Sequence, residues 1–316
     1  MKHKVLQAGR LLPELELSLA AAYELHRLAD EPDPDAFLKS EGDRFVGLVT
    51  SAGGIGASAS LIAALPSLRV ISSFGVGLDR IDLAAARERG IAVGHTPDVL
   101  NDCVADAAFG LMLDVARRIS EADRFVRAGC WAAGGSQAFG LGRKVSGARL
   151  GMVGFGRIGQ TIARRASGFD MSVRYHSRRP VEGVPWPHEP DLLELAHWAD
   201  YLVVITAGGS GTRHLINRQV LDALGPRGFL INVARGSVVD EQVLVNALQE
   251  RRIAGAGLDV FEQEPAVPAE LLQLDNVVLL PHIASATQET RAAMAQRVLD
   301  NLAAFLSEGR LLSSAL

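Results

Sequence analysis

Three ionisable residues in the last third of the sequence have the chemistry that reduction of a ketone would need. Arg235, Glu264 and His282 each stand at or just after the carboxyl end of a predicted strand, which is the edge of an α/β sheet where ligands bind. Hydride attack on a ketone leaves negative charge on its oxygen, and histidine has a suitable pKa to deliver a proton there near neutral pH. A carboxylate would charge and orient the ring, and a guanidinium would bind an anionic substrate and polarise its carbonyl. We therefore predict His282 as proton donor, Glu264 as its partner and Arg235 as the substrate-binding group.

The same residues also have ordinary structural interpretations. Arg235 could be a surface cation near a turn, and His282 could be a hydrogen-bonded core histidine. Glu264, which precedes Pro265, could begin a helix. Five of the eight histidines are assigned to a structural background of this kind: His3, His26, His188, His197 and His214. Residue types and spacing alone therefore leave both interpretations open.

A glycine-rich segment follows a predicted strand and opens a predicted helix. Its residues are Gly154, Phe155, Gly156, Arg157, Ile158 and Gly159. In a G-x-G-x-x-G segment the first glycine permits a tight turn, the second lets the backbone approach a pyrophosphate, and the third lets the helix pack on the strand. The N–H groups that begin the helix then face the phosphates. A glycine-rich turn without a ligand would look similar, but the flanking strand and helix favour a dinucleotide site.

The end of the next predicted strand indicates which dinucleotide binds. An NAD site usually carries Asp or Glu about 20 residues after the glycines, where it bonds the ribose 2′-OH. Here the strand ends in His176, Ser177, Arg178 and Arg179, with no carboxylate to repel a 2′-phosphate. Ser177 can donate a hydrogen bond and the two arginines can donate charge-assisted ones, although such arginines could also form a solvated turn. We predict NADPH rather than NADH as the preferred cofactor, with these four residues in its site.

Alternating strand and helix patterns position these residues. In the first region the predicted strands are Lys4–Gln7, Tyr23–Leu28, Phe45–Thr50, Leu68–Ser73 and Ile91–Gly94. In the second region they are Leu150–Val153, Met171–Tyr175, Tyr201–Ile205, Gly228–Val233, Gly255–Val260 and Val277–Leu280. Predicted helices between them include Leu61–Leu65, Leu83–Arg87, Gln160–Phe169, Leu192–Trp198, Arg218–Leu224 and Glu241–Arg251. This alternation predicts βαβ units around parallel sheets.

Two longer helices complete the pattern. One is predicted from an N-cap at Asn101 to a stop at Gly129, because apolar residues recur between them at helical spacing. The other is the C-terminal helix, for which Ser285–Gln288 matches a capping box.

Composition limits the class of protein. A length of 316 residues suggests about two domains. The net charge of −4 gives no reason to expect nucleic acid or an anionic membrane as a partner. The two cysteines, Cys103 and Cys130, are too few for a secreted disulfide framework. With no secretory signal or membrane-spanning run in the sequence, we predict a cytoplasmic protein, and we expect no metal site.

Four motifs, taken in order, make the chain resemble the D-isomer-specific 2-hydroxyacid dehydrogenases over nearly its whole length. They are Gly154–Gly159, Asn232–Glu241, Gly257–Pro265 and Leu280–Ser285. The stretch from Gly168 to Arg178 also looks like the NADP-dependent glyoxylate/hydroxypyruvate reductase branch of that family. The resemblance implies reduction of a small 2-keto acid, of the glyoxylate or hydroxypyruvate type, to the D-2-hydroxy acid. It also implies an Arg/Glu/His triad, in which Arg235, Glu264 and His282 have the roles given above.

The resemblance implies further site residues. The backbone N–H groups of Val76 and Gly77 would hold the substrate carboxylate. Thr206 and Asp259 would lie near the nicotinamide end of the cofactor. Three more residues of the shared motifs would line the cofactor site: Val233, Ala234 and Ala284.

In fold, the resemblance implies two doubly wound parallel-sheet α/β domains with the active-site cleft between them. A flavodoxin-like substrate domain would comprise residues 1–98 and 286–316, and a Rossmann NADP-binding domain, residues 99–285, would be inserted into it. The resemblance also suggests a homodimer.

Two alternatives stay open. Another dehydrogenase of the same family could act on a larger, aryl or branched 2-keto acid. A phosphoglycerate-type substrate would need further basic residues on the N-terminal loops, where only Arg80 lies near Val76. A nucleotide-sensing binding protein, like the transcriptional corepressors that resemble this family, could retain the triad. An activity assay with glyoxylate and NADPH would separate that last class from an enzyme.

Overall fold

Two parallel sheets organise the chain, which the computed structural model describes over residues 2–316 apart from the side chain of Ser136. The chain forms two units. Unit 1 contains the residues up to Leu100 together with Thr287–Leu316, and unit 2 contains Asn101–Ala286. Each unit has its own sheet, so the predicted fold class of two doubly wound, parallel-sheet α/β domains is confirmed.

Unit 1 is built on a sheet of five parallel strands in the described part of the chain. They are β1 (Lys4–Gln7), β2 (Glu24–Arg27), β3 (Gly47–Ser51), β4 (Val70–Phe74) and β5 (Ala92–Gly94). They pair in the order β2-β1-β3-β4-β5, which is the flavodoxin-like order. Every residue of β4 is buried, as expected of a parallel strand that is covered on both faces. The first helices of this unit are α1 (Pro13–Ala22), α2 (Pro34–Glu41), α3 (Ala59–Ala63) and α4 (Leu83–Glu88).

Unit 2 carries a parallel sheet whose described strands number six. They are β6 (Arg149–Val153), β7 (Ser172–His176), β8 (Tyr201–Val204), β9 (Phe229–Asn232), β10 (Gly255–Leu258) and β11 (Val277–Leu279). The order is β11-β10-β9-β8-β6-β7, so the chain passes from β6 to β7 on one side and returns with β8 on the other. The carboxyl ends of β6 and β8 therefore form a topological switch point, where nucleotides bind in such sheets. The helices of this unit are α5 (Asn101–Arg117), α6 (Ile119–Arg127), α7 (Cys130–Gly134), α8 (Arg157–Ala166), α9 (Leu192–Trp198), α10 (Arg218–Leu224) and α11 (Glu241–Gln249).

The last helix, α12 (Gln288–Glu308), belongs to unit 1. The Ser72 hydroxyl of β4 donates to the Val298 carbonyl oxygen at 3.1 Å, which fixes the helix against the sheet. The predicted start of its capping box at Ser285 is wrong. The N-cap is Thr287, whose hydroxyl accepts from the Thr290 N–H at 3.2 Å. Two hydroxyl residues stand close together here, and the sequence pattern alone does not distinguish which of them caps the helix.

The single helix predicted over residues 101–129 is wrong in its second half. Arg118 has a left-handed φ of 59° and separates α5 from α6. The Asp114 carboxylate accepts hydrogen bonds from the Ser120 N–H, at 2.7 Å, and from the Ser120 hydroxyl. Such local side-chain bonds compete with the regular helix ladder. At the other end, Asn101 is the first residue of α5 rather than its N-cap.

Helices α1 and α2 lie outside the sequence predictions. Both begin with a proline, which is favourable at the first helical position. Only Leu15 and Leu19 of α1 are buried, so its apolar periodicity is weak. Among the described helices, none combines the length and apolar character that a membrane span requires.

Candidate active site

The predicted catalytic residues follow three adjacent strands of unit 2. Arg235 comes after β9, Glu264 after β10 and His282 after β11, and these strands are neighbours in the sheet. The carboxyl ends of parallel strands meet at one edge of a sheet. The structure therefore brings the three predicted residues to the same edge.

Glu264 and His282 are joined directly. Nδ1 of His282 lies 2.7 Å from Oε2 of Glu264, and both side chains are only partly exposed. The other oxygen of Glu264, Oε1, accepts the Phe261 N–H at 3.1 Å. Because an ionised carboxylate only accepts hydrogen bonds, the proton in the pair belongs to Nδ1. The second ring nitrogen, Nε2, is then the atom that can carry a transferable proton.

The environment of Glu264 keeps its carboxylate ionised. Burial raises the pKa of this group, but the hydrogen bond and charge of His282, the Phe261 N–H and the charge of Arg235 outweigh burial. The net result is a pKa below the ordinary value of 4.5. At neutral pH Glu264 is therefore a carboxylate that can accept the Nδ1 proton of His282.

Arg235 is held by a buried turn. The Asn232 side chain, 1% exposed, accepts from the Ala234 N–H at 3.1 Å and donates to the Arg235 carbonyl oxygen at 3.1 Å. The next residue, Gly236, packs so closely that a Cβ there would lie 1.9 Å from the carbonyl carbon of Phe261. The segments that carry Arg235 and Glu264 are therefore in direct backbone contact.

Asp259, predicted near the nicotinamide, is a buried carboxylate at the end of β10. It is 1% exposed, and its two oxygens accept the N–H groups of Ile283 at 2.7 Å and Ala284 at 2.9 Å. Burial raises the pKa of Asp259, and the two N–H groups and the charge of His282 oppose that effect only in part. The geometry gives this residue a structural task next to His282.

The glycine segment after β6 has the form that a dinucleotide requires. Gly154 has a φ of +97°, and a Cβ there would lie 2.7 Å from the Thr206 backbone nitrogen. A Cβ on Gly159 would lie 2.9 Å from the Gly154 carbonyl oxygen. Gly156, in contrast, faces open space, because a Cβ there would have no heavy atom within 4 Å. Protein packing thus explains two glycines, and the open approach at Gly156, just before α8, fits a bound pyrophosphate.

The end of β7 carries the four residues predicted to contact a 2′-phosphate. The His176 ring is fixed through Nδ1 at 3.1 Å from the Glu189 carbonyl oxygen, and the Ser177 hydroxyl donates to the Arg179 carbonyl oxygen at 2.6 Å. Arg178 and Arg179 are exposed. Within residues 2–316, no carboxylate forms an ion pair with either arginine. Both arginines could therefore donate charge-assisted hydrogen bonds to an anionic ligand.

The remaining predicted cofactor residues lie near the same edge. Thr206 follows β8 and contacts Gly154 across the switch point. Arg157 and Ile158 form the first turn of α8, where backbone N–H groups lack partners within the helix. Three further residues are buried in the segments after β9 and β11: Val233, Ala234 and Ala284.

The predicted carboxylate loop belongs to unit 1 and follows β4. Gly75 has a φ of +140°, and a Cβ there would lie 2.4 Å from the Ala52 Cβ. In the described residues, no protein group accepts a hydrogen bond from the N–H of Val76 or of Gly77. Two consecutive N–H groups without a described protein acceptor could donate to an anion, which is what the prediction needs.

Two residues that bond to the predicted carboxylate loop were not predicted. His95 and Thr96, after β5, bond to Gly75 and Val76 of this loop, which we call the Val76 loop (residues 75–77). Their partners lie in another loop, and no local motif marks them, so the sequence offered no signal. His214 bonds to Oε1 of Glu262 at 3.1 Å through Nε2, as its assignment to a structural background leads one to expect.

Comparisons with known proteins agree with this arrangement. Residues 109–284 match the family model described as D-isomer specific 2-hydroxyacid dehydrogenase, NAD binding domain. The chain is 48% identical over 299 residues to glyoxylate/hydroxypyruvate reductase A of Arabidopsis thaliana, a match that covers 95% of this chain and 94% of the relative. It is also 48% identical over 299 residues to hydroxyphenylpyruvate reductase of Plectranthus scutellarioides, with the same coverage of 95% and 94%.

A solved structure shows the same fold over the whole chain. It is the NADPH-dependent glyoxylate/hydroxypyruvate reductase of Sinorhizobium meliloti, in complex with NADP and malonate. The TM-score is 0.93 at 42% identity, and the match covers 100% of this chain and 97% of that chain. The similarity therefore extends beyond the fold to the sequence.

Proposed function

Because the chain belongs to the D-isomer specific 2-hydroxyacid dehydrogenase family, we propose that it reduces a small 2-keto acid, such as glyoxylate or hydroxypyruvate, to the D-2-hydroxy acid with NADPH. Its named relatives are reductases, so the chain is an oxidoreductase that uses a nicotinamide cofactor and acts on keto acids. The observation that carries the proposal is the 2.7 Å contact between His282 Nδ1 and Glu264 Oε2. It supplies an oriented proton donor at the ligand-binding edge of the sheet.

The residues of unit 2 then have distinct tasks. When bound, the cofactor supplies the hydride that attacks the ketone carbon. His282 donates a proton from Nε2 to the ketone oxygen as negative charge develops there. Glu264 accepts from Nδ1 and stabilises the charged ring before the transfer. Arg235 binds the substrate carboxylate and polarises the neighbouring carbonyl.

The loop after β4 in unit 1 is a second group proposed to bind the substrate carboxylate. The N–H groups of Val76 and Gly77 donate to the substrate carboxylate. Their support is the finding that no described protein group accepts from either N–H. Glycine at position 77 also leaves the backbone open to close approach by a ligand.

The preference for NADPH rests on the end of β7. Arg178 and Arg179 are exposed and have no carboxylate partner in the described residues, and each can donate charge-assisted hydrogen bonds to a 2′-phosphate. The Sinorhizobium meliloti enzyme is named as NADPH-dependent, which supports the same preference here.

A second candidate substrate class is the aryl 2-keto acids. The relative from Plectranthus scutellarioides, a hydroxyphenylpyruvate reductase, is as similar to this chain as the glyoxylate/hydroxypyruvate reductase from Arabidopsis thaliana, at 48% identity. The catalytic residues would have the same tasks with either substrate, since only the group beside the ketone differs.

The deciding experiment compares kcat/KM for glyoxylate, hydroxypyruvate and 4-hydroxyphenylpyruvate, each with NADPH and with NADH. We expect the small substrates to exceed the aryl one, NADPH to exceed NADH, and the product to be the D-enantiomer. A higher kcat/KM for 4-hydroxyphenylpyruvate would favour the second candidate. Absence of turnover with all three acids would contradict the proposed function.

Two properties of the whole protein are also proposed. A cytoplasmic location is supported by the two cysteines, Cys103 and Cys130, which are not joined in a disulfide. A homodimer is proposed from the family resemblance, and the exposed apolar side chains Ile119 of α6 and Trp131 of α7 are candidates for its interface. Sedimentation equilibrium tests the second property, and a mass near 33.6 kDa, that of a single chain, would contradict it.

A further inference from the structure

The carbonyl groups of the Val76 loop accept hydrogen bonds that sequence reasoning did not predict. The Thr96 N–H donates to the Gly75 carbonyl oxygen at 3.0 Å, and the Thr96 hydroxyl accepts the Gly75 N–H at 3.1 Å. Nδ1 of the next-door His95 lies 3.3 Å from the Val76 carbonyl oxygen. A carbonyl oxygen has no proton to give, so Nδ1 of His95 is the donor in this contact.

These carbonyl groups belong to the peptide units that matter for an anion. The Gly75 carbonyl shares its peptide unit with the Val76 N–H, and the Val76 carbonyl shares its unit with the Gly77 N–H. A hydrogen bond to the oxygen of a peptide unit polarises the whole unit and makes its N–H a stronger donor. The peptide units that carry the Val76 and Gly77 N–H groups therefore each accept a hydrogen bond at their carbonyl oxygen, which lies opposite the N–H.

His95 and Thr96 are themselves held in place by other residues. Asn301, fully buried, donates to the His95 carbonyl oxygen at 3.1 Å, and the Ser313 hydroxyl donates to the same oxygen at 2.7 Å. The His95 N–H bonds to the Ser313 carbonyl oxygen at 3.3 Å. Thr96 is fully buried. The C-terminal segment thus fixes the backbone of His95, and burial restricts Thr96, so little entropy remains to be lost when the loop binds a ligand.

We infer that His95 and Thr96 are positioning residues that orient and polarise the Val76 and Gly77 N–H groups for a substrate carboxylate. This inference rests on the proposed function, because it assigns a cause to the carboxylate affinity of that same loop. His95 acts through the backbone and does not touch the reacting atoms. Its removal should weaken binding of the carboxylate without slowing the chemical step.

Two variants of His95 distinguish the effect of its hydrogen bond from the effect of the packing of its ring. His95→Phe keeps a ring and removes the donor, while His95→Asn places a side-chain N–H near the position of Nδ1 and should restore the bond. His26→Ala is the matched control, because His26 is also a partly buried histidine of unit 1 but pairs with Glu31. The holoenzyme is studied with NADPH bound, and the probe is oxamate, which has a carboxylate beside a carbonyl that is not reduced.

For His95→Phe we expect the oxamate Kd from calorimetry and the KM for glyoxylate to rise together, about five- to tenfold, as loss of one hydrogen bond would cause. We expect kcat and the Kd for NADPH to stay within about twofold of wild type. His95→Asn should recover most of the affinity, and His26→Ala should change neither constant.

Two results would overturn the inference. One is a His95→Phe variant with unchanged oxamate Kd and glyoxylate KM. The other is a variant in which kcat falls while both binding constants stay constant. If the wild-type protein reduces no 2-keto acid but still binds oxamate in a His95-dependent way, the proposed function fails and the positioning role stands. A wild-type protein that neither reduces keto acids nor binds oxamate overturns both.

Discussion

Asp259 determines the backbone conformation of His282. Its carbonyl oxygen accepts the His282 N–H at 2.9 Å, and its carboxylate accepts the N–H groups of the next two residues, Ile283 and Ala284. His282 itself has a left-handed φ of +54°, a conformation that costs about 1–2 kcal/mol for a residue with a Cβ. Three consecutive hydrogen bonds to one residue stabilise this conformation and aim the imidazole toward Glu264.

Removing the Asp259 carboxylate should therefore affect both stability and catalysis. In Asp259→Ala the buried N–H of Ala284 and the partly buried N–H of Ile283 lose their acceptor, and a buried unsatisfied group costs about 1–3 kcal/mol. We expect the free energy of unfolding in urea to fall by about 2 kcal/mol or more, and kcat for the keto acid to fall at least tenfold. The matched control is Asp191→Ala, since Asp191 also accepts two backbone N–H groups at the start of α9. It should cost about 1 kcal/mol and leave kcat unchanged.

The proton-donor role of His282 is tested by its removal. We expect His282→Ala to lower kcat for 2-keto acid reduction about 100-fold or more, because general acid catalysis contributes on this order. The Kd for NADPH, measured by fluorescence titration, should change little. His197→Ala, at an exposed position of α9, is the control and should retain full activity. A His282→Ala enzyme with near-normal kcat would remove this residue from the proposed role.

The pair also predicts a pH effect on stability. The pKa of Glu264 in the folded protein lies below 4.5, with burial opposed by His282. A carboxylate with a depressed folded pKa contributes stability that is complete above its unfolded pKa and is lost as the pH falls through the folded value. Wild type should therefore exceed Glu264→Gln in unfolding free energy at pH 6, and the difference should shrink as the pH is lowered below 4.5.

Removal of His282 should change the direction in which the pKa of the Glu264 carboxyl group is shifted. In His282→Ala the opposing hydrogen bond and charge are gone, and burial should then raise the pKa of Glu264 above 4.5. Carbon-13 NMR of the Glu264 carboxyl measures this directly. A pKa that is equally low in wild type and in the variant would show that His282 does not stabilise the carboxylate.

The arginines at the end of β7 predict a change in cofactor preference. Replacing both Arg178 and Arg179 by alanine should raise the KM for NADPH about 10- to 100-fold, since charge-assisted hydrogen bonds to the 2′-phosphate are lost. The KM for NADH should stay within twofold, because NADH has no such phosphate. Arg218→Ala removes an arginine whose side chain is 71% exposed elsewhere in unit 2 and should alter neither constant. Parallel increases in both KM values would point to general damage instead.

Periodic patterns predicted the two sheets well because the signal is local. A run such as Leu150–Val153 is apolar throughout, and the glycines that follow it mark the turn. The break at Arg118 was not predictable in this way, because it depends on the Asp114 side chain capturing the Ser120 N–H. Hydrophobic periodicity records which residues are apolar and says nothing about such a competing hydrogen bond.

The candidate site was predictable where residue type is tied to a strand end. His282 and Glu264 were placed from chemistry and position, and the structure joins them by a hydrogen bond. His95 was not predicted, since its bond to Val76 connects two different loops and its anchor, Asn301, lies near the other end of the chain. Contacts of that kind follow from the tertiary fold alone.

The contact between Gly236 and Phe261 makes the clearest prediction about how the site is assembled. A Cβ at position 236 would lie 1.9 Å from the Phe261 carbonyl carbon and 2.1 Å from its oxygen, and backbone atoms cannot rotate away as a side-chain end can. Gly236→Ala should therefore lower the unfolding free energy by about 1–3 kcal/mol or more. Because the two segments carry Arg235 and Glu264, kcat/KM for the keto acid should fall in the same variant even at temperatures where it is fully folded. Gly110→Ala is the control: its Cβ would meet no atom within 4 Å inside α5, so it should raise stability by about 0.5–1 kcal/mol. If Gly236→Ala retained wild-type stability and activity, these two segments would not need the close approach that the structure shows.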